Sequence, residues 1–222
     1  MRRLLIPTLL AALAVPAAAQ TVNEPSSGVA FPVSMTVADG STQALLGTGL
    51  RTRTMLNVKV YAFGLYADEA AARTALTGFA GRTAEQLAGD QAFYSTLLRM
   101  GFPMTMRLVM TRNVSGEQMS EAFDGALRPR VVTAAGRGMP GGEAALATFR
   151  GFFSVDRLTE GAELVFTCTP DGAFHSTVAG ESKPVINSGA LCWALFDVYL
   201  GSAPISANGK RSVIARTPGM LR

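Results

Sequence analysis

The stretch GTGLRTRTMLNVKVYAFGLYAD, Gly47 to Asp68, constrains the fold of this chain more than any other. Two runs of strand-forming residues, roughly Ala44 to Thr54 and Val58 to Tyr66, meet at a short break around Asn57, which predicts an antiparallel hairpin. With the hairpin centred near Leu56, partners have position numbers summing to about 112, which places Arg51 opposite Tyr61. Side chains directly across such a ladder share a face, about 5 Å apart at their Cβ atoms. A guanidinium and a phenol side by side offer donors suited to one carboxylate. Phe63 and Leu65 share that face, so the arrangement suits an amphipathic acid with a long or aromatic tail. A plainer reading stands beside it: Arg51, Arg53 and Lys59 form a wet face, with Tyr61 covering their stems. The pattern alone favours the wet face, because long cationic side chains commonly lie along apolar surface with their heads in water. A slip of one residue in register would also part the pair.

The rest of the chain brings strands and helices in blocks. A strand from about Val29 to Val37 is marked as an edge by Pro32. Asp68 to Leu76 and Thr83 to Arg99 read as helices, the second open to interruption at Gly89, and Met104 to Thr111 returns to strand. Ser115 and Gln118 have capping-box spacing and start a helix expected to end or bend near Pro129. The glycine-rich GRGMPGG, Gly136 to Gly142, lacks the strand-to-helix context and the lysine of a phosphate loop, so it reads as a turn before a short helix from Glu143 to Phe153. Glu163 to Gly180 is a hairpin turning at Pro170-Asp171-Gly172, and a last helix, Ser188 to Leu200, puts Leu191, Leu195 and Val198 on one face. Blocks rather than strict alternation predict an α+β fold, an antiparallel sheet with helices packed on one face.

Composition narrows the function classes. At 222 residues the chain can bury one sizeable core, and a single domain over 29–222 is expected. MRRLLIPTLLAALAVPAAAQ has a basic start, an apolar run from Leu4 to Val15 and a small-residue end, the pattern of a secretory signal over 1–19 cleaved after Ala19. The run is too short for a membrane span and carries Pro7 and Thr8; a retained anchor is the rival reading. The mature protein is therefore expected to be soluble and exported, periplasmic or secreted, with a flexible lead-in over 20–28 where TVNEPSSG is polar and turn-prone. Of the 20 lysines and arginines, Arg2 and Arg3 lie in the signal, leaving 18 against 16 acidic residues. Such a balance, with no dense basic run, argues against nucleic acid as a partner. His175, the only histidine, cannot build a metal cluster and reads as a solvated or hydrogen-bonded strand residue rather than a catalyst. No nucleophile elbow or CxxC is present, so no cofactor, metal ligand or catalytic residue is assigned. Export would permit a Cys168–Cys192 bond, yet each cysteine also fits an apolar core position, the reading the sequence favours.

LLGTGLRTRTMLNVKVYAFGLYAD, Leu45 to Asp68, resembles the opening segment of the chalcone isomerase family, and the resemblance continues in NVSGEQMSEAF, Asn113 to Phe123, and ALCWALFDVYLGSAPIS, Ala190 to Ser206. It implies an open-faced sandwich, a large antiparallel sheet with a layer of helices. The family includes isomerases that close a chalcone to a flavanone and non-catalytic members that bind fatty acids. The resemblance implies an arginine at Arg51 in both, paired in the fatty-acid-binding members with a tyrosine that matches Tyr61, where the isomerases have threonine. Three further isomerase positions depart: the tyrosine becomes Met119, the asparagine seven residues later becomes Ala126, and the small hydroxyl residue near the last helix aligns with Val198. Ring closure needs donors and an ordered water at the ketone where charge develops, and these side chains offer none. The resemblance thus implies a non-catalytic binding protein for a fatty acid or similar amphipathic carboxylate, with Arg51 and Tyr61 as ligand-binding residues. Its alternatives are an isomerase of the intramolecular-lyase type and an interaction protein whose cavity has closed.

Overall fold

A computed structural model describes residues 20–222 apart from 39, 54 and 55, so the expected signal segment lies outside the described residues. Along the chain, β1 (Thr21–Asn23) and β2 (Ala30–Pro32) are followed by β3 (Ser34–Thr36), β4 (Thr42–Arg53) and β5 (Val58–Ala67). Three short helices come next, α1 (Glu69–Ala75), α2 (Ala84–Ala88) and α3 (Gln91–Leu97), then β6 (Met104–Met110), β7 (Val114–Ser115) and α4 (Gly116–Gly136). The rest comprises α5 (Gly142–Gly151), β8 (Arg157–Leu158), β9 (Glu163–Cys168), β10 (Ala173–Val178), β11 (Glu181–Asn187), α6 (Gly189–Leu200) and α7 (Ala207–Met220). Seven strands pair antiparallel in the order β11-β10-β9-β6-β5-β4-β3. The fold is α+β, as expected.

Pairing fixes which residues face the helices. Tyr61, Phe63, Leu65 and Ala67 of β5 stand beside Met110, Leu108, Met106 and Met104 of β6, and all belong to the main core shared with the helices. Ala62 and Tyr66 point the other way and, with Leu45 and Val109, pack around Phe31 of the β1–β2 hairpin. In α4 the buried residues Met119, Phe123, Leu127, Val131 and Ala134 recur every three to four positions, so one stripe faces the core, where α5 and α6 pack against this helix. Ser115 and Gln118 form the capping box that their spacing predicts. No helix of the described residues is long and apolar enough to cross a membrane.

Several elements differ from the sequence reading. Part of the presumed lead-in is strand: Thr21–Asn23 pairs with Ala30–Pro32, and the Glu24 carboxylate accepts from the backbone of Ser26 and Ser27 to organise the turn between them. The strand placed at 29–37 divides at Val33 between two sheets. The helix placed at 83–99 is interrupted at Gly89 as expected, with Asp90 capping α3, and α3 ends at Leu97 rather than Arg99. Pro129 does not end α4, because the buried stripe continues across it to Val131 and Ala134 and packing outweighs the lost hydrogen bond. The helix 188–200 is not the last, since α7 follows, capped by Ser206. It lies directly on β4: a Cβ on Gly47 would come 2.5 Å from the Val213 nitrogen, and one on Gly49 2.6 Å from the Gly209 Cα, so the glycines of LLGTGL make room for a helix. Finally, Cys168 and Cys192 are bonded rather than free, tying β9 to α6 with Cα atoms 5.8 Å apart. Both sulfurs sit in the core, and there the sheet and α6 hold them face to face.

Candidate functional site

Arg51 and Tyr61 are direct partners in the β4–β5 ladder, as their positions predict. Immediately beyond them the register shifts, because Thr52 pairs with Lys59 and leaves Val60 as the extra residue of a β-bulge. The bulge turns Val58 and Val60 to the side of Tyr61, so all three line one cavity of about 550 Å³ between the sheet and the helices. Arg51 and Arg53 line it too, from β4, whereas Lys59 reaches away to the Ser26 carbonyl at 2.5 Å. The three cationic side chains of the hairpin are therefore not one wet face.

The opposite wall comes from α4, α6 and the link between α6 and α7. Gln118, Met119, Ala122, Phe123, Ala126 and Leu127 of α4 line it, with Leu195, Val198 and Tyr199 of α6 and Ala203, Pro204 and Ile205 of the link. Arg130 holds these parts together: Nε donates to Asp197 at 2.8 Å, Nη1 to the Ala126 carbonyl at 2.8 Å and Nη2 to the Ala203 carbonyl at 3.0 Å. The volume lies within the range of small-molecule sites, and the lining is mainly apolar with a few convergent polar groups. The space beside Arg51 is not filled by large side chains, the feature that the closed-cavity alternative expects.

The polar groups form a short relay. Arg51 Nη1 donates to the Ile205 carbonyl at 3.4 Å, and the Tyr61 and Tyr199 hydroxyls are hydrogen-bonded at 3.0 Å. The Tyr199 ring packs edge-on against Phe63, with centroids 4.7 Å apart, which fixes the direction of its hydroxyl. Burial pushes the Tyr61 phenol up from its ordinary range, against the Tyr199 hydrogen bond and the Arg51 charge. Burial, then the Tyr61 neighbour, raises Tyr199 further. Both phenols are thus neutral at physiological pH and share one hydrogen bond, so one O–H remains to donate elsewhere. Tyr199 was not among the residues picked out from sequence; its only signal was a tyrosine in the buried helical run FDVYLG. Among the described residues no group of three or more His, Cys, Asp or Glu side chains is placed to hold a metal ion.

A family model described as chalcone isomerase like matches residues 41–214. The chain belongs to the chalcone isomerase-like family. Among its relatives, the protein named Fatty-acid-binding protein 1 of Arabidopsis thaliana is 25% identical over 201 residues, covering 88% of this chain and 70% of that protein. A chalcone–flavanone isomerase of Oryza sativa subsp. japonica is 31% identical over 207 residues, covering 88% of each chain. In fold, the crystal structure of an Arabidopsis thaliana fatty-acid-binding protein superposes with a TM-score of 0.79 at 24% identity, over 91% of this chain and 99% of that one. The open-faced sandwich implied by the resemblance is thus the fold of this family member. Met119, Ala126 and Val198, where the resemblance implies a departure from the isomerases, all line the same cavity as Arg51 and Tyr61.

Proposed function

We propose that this chain is an exported, non-catalytic binding protein for a fatty acid or similar amphipathic carboxylate. The observation that carries the reading is the Arg51–Tyr61 pair bordering an apolar-lined cavity of about 550 Å³. The carboxylate takes a charge-assisted hydrogen bond from the Arg51 guanidinium and the spare O–H of the Tyr61–Tyr199 pair, while the tail lies against Val58, Val60, Met119 and Leu127. Binding without turnover fits Met119, Ala126 and Val198, which supply no donor for the oxygen on which charge develops during ring closure. The name of the relative Fatty-acid-binding protein 1 agrees with this choice. Export is supported by the sequence pattern of residues 1–19 and by the Cys168–Cys192 bond, which persists in oxidising compartments.

The test is extraction of lipid that copurifies with the protein, comparing wild type with Arg51→Ala by mass spectrometry. A fatty acid present in the wild type and depleted about tenfold or more in the variant is the expected outcome, as for loss of a hydrogen bond to a charged group. No acid in either preparation would overturn the reading. The isomerase alternative is assayed separately, since loss of chalcone absorbance with the purified protein would restore it. Recovery of a chain that begins at Gln20 from an exported fraction tests localisation.

A further inference from the structure

The charge around the cavity exceeds what a carboxylate uses. Four arginines line it, Arg51, Arg53, Arg112 and Arg130, against one carboxylate, Glu121. Asp197 already neutralises Arg130 at 2.8 Å. The Arg51 side chain donates to a backbone carbonyl alone, and among the described residues the side chains of Arg53, Arg112 and Glu121 make neither an ion pair nor a hydrogen bond. With Glu121 set against one guanidinium, two positive charges remain in the lining. A fatty acid neutralises one.

Position separates the roles of these arginines. Arg53 follows Arg51 by two residues on the cavity side of β4, about 7 Å along the strand toward the hairpin tip. Arg112 lies two residues past Met110, the partner of Tyr61 in β6. Arg53 and Arg112 are exposed whereas Arg51 is half-buried, so the two outer guanidiniums stand nearer the solvent than the Arg51–Tyr61 pair. The result is a graded cationic approach to an apolar cavity.

We propose that the preferred ligand is an amphiphile with a dianionic head, an alkyl or acyl phosphomonoester, its phosphate held jointly by Arg51, Arg53 and Arg112 and its tail in the apolar lining. This refines, and rests on, the reading of the same cavity as a site for amphipathic acids. A phosphomonoester carries close to two negative charges at neutral pH and three terminal oxygens, matching both the excess charge and the forked guanidinium donors.

The experiment is calorimetric titration of lipid-stripped protein at pH 7.5 and low salt with dodecanoate, dodecyl phosphate and inorganic phosphate. Dodecyl phosphate is expected to bind about tenfold more tightly than dodecanoate, and inorganic phosphate far more weakly than either. In the double variant Arg53→Ala, Arg112→Ala the preference should vanish, dodecyl phosphate losing about tenfold more affinity than dodecanoate, since a dianion loses more than a monoanion when two guanidiniums are removed. Dodecanoate binding with no preference for dodecyl phosphate overturns the inference and leaves the carboxylate reading standing. A preference that survives the double variant overturns it as well. Inorganic phosphate binding as tightly as dodecyl phosphate overturns the amphiphile in favour of a bare anion site. Binding of neither amphiphile sinks this inference and the carboxylate reading together.

Discussion

The layer between sheet and helices ends in two different ways. Toward β9 and β10 it is filled: Phe123, Phe149, Phe153, Phe166 and Phe174 meet with ring centroids 5.2 to 5.8 Å apart. Toward the tip of the β4–β5 hairpin it holds a cavity of about 550 Å³ bordered by Arg51, Tyr61 and Tyr199. α4 serves both ends, since Phe123 belongs to the aromatic cluster and also lines the cavity. What separates the two is side-chain volume on neighbouring turns of that helix: Ala122, Gly125 and Ala126 face the cavity where nothing aromatic could be accommodated without filling it. The packed end supplies stability, and the open end is spanned by Arg130 and its three hydrogen bonds instead of by rings. Stability and binding are therefore expected to respond to different substitutions.

The sharpest way to break that division is Phe149→Ala, which removes the ring that touches most of the cluster. It should lower stability by about 3–5 kcal/mol, read from urea unfolding, as for other buried aromatic truncations. Reduction of the Cys168–Cys192 bond, also at the packed end, should cost about 3 kcal/mol through the freed loop, while affinity for dodecanoate is unchanged. A matching loss of affinity on reduction would show that the two ends are coupled. At the open end the order reverses: Tyr199→Phe removes one hydroxyl of the relay and should weaken binding of a carboxylate severalfold, with about 1 kcal/mol lost in stability. The mildest probe is alkali. Burial raises Tyr61, Tyr66, Tyr94 and Tyr199, with Tyr66 pushed up to about 12. A raised folded value means the unfolded chain releases its phenolic protons first, so stability is fully present below the ordinary tyrosine range near 10 and declines as pH rises through and beyond it. Urea midpoints measured from pH 8 to 12 should stay level and then fall; a level curve throughout would mean that these hydroxyls are more open than their burial indicates.

Legibility followed sequence distance. The β4–β5 hairpin, its Arg51–Tyr61 pairing and the Ser115–Gln118 cap were readable because each rests on neighbours within about ten residues. β11 was missed because ESKPVIN, with Lys183 and Pro184, does not alternate like a half-buried strand; it is tolerated at the sheet edge, where one side needs no partner. α7 was missed because ANGKRSVIARTPGM contains glycines and a proline and shows little amphipathic pattern; contact with β4 through Gly47 and Gly49 makes it a helix. The β5 bulge was also invisible, yet it sends Lys59 away and brings Val60 to the cavity.

By itself, then, the sequence determined the alternation that pairs Arg51 with Tyr61, the blocks that make an α+β sheet, and the family. Tertiary structure alone decided whether the face carrying that pair is wet or enclosed. Burial depends on what is laid over a strand, and here that is α4, α6 and Tyr199, 138 residues from Tyr61. No local pattern along β4 and β5 encodes that distant wall, because its effect on Arg51 exists only once the layers have packed.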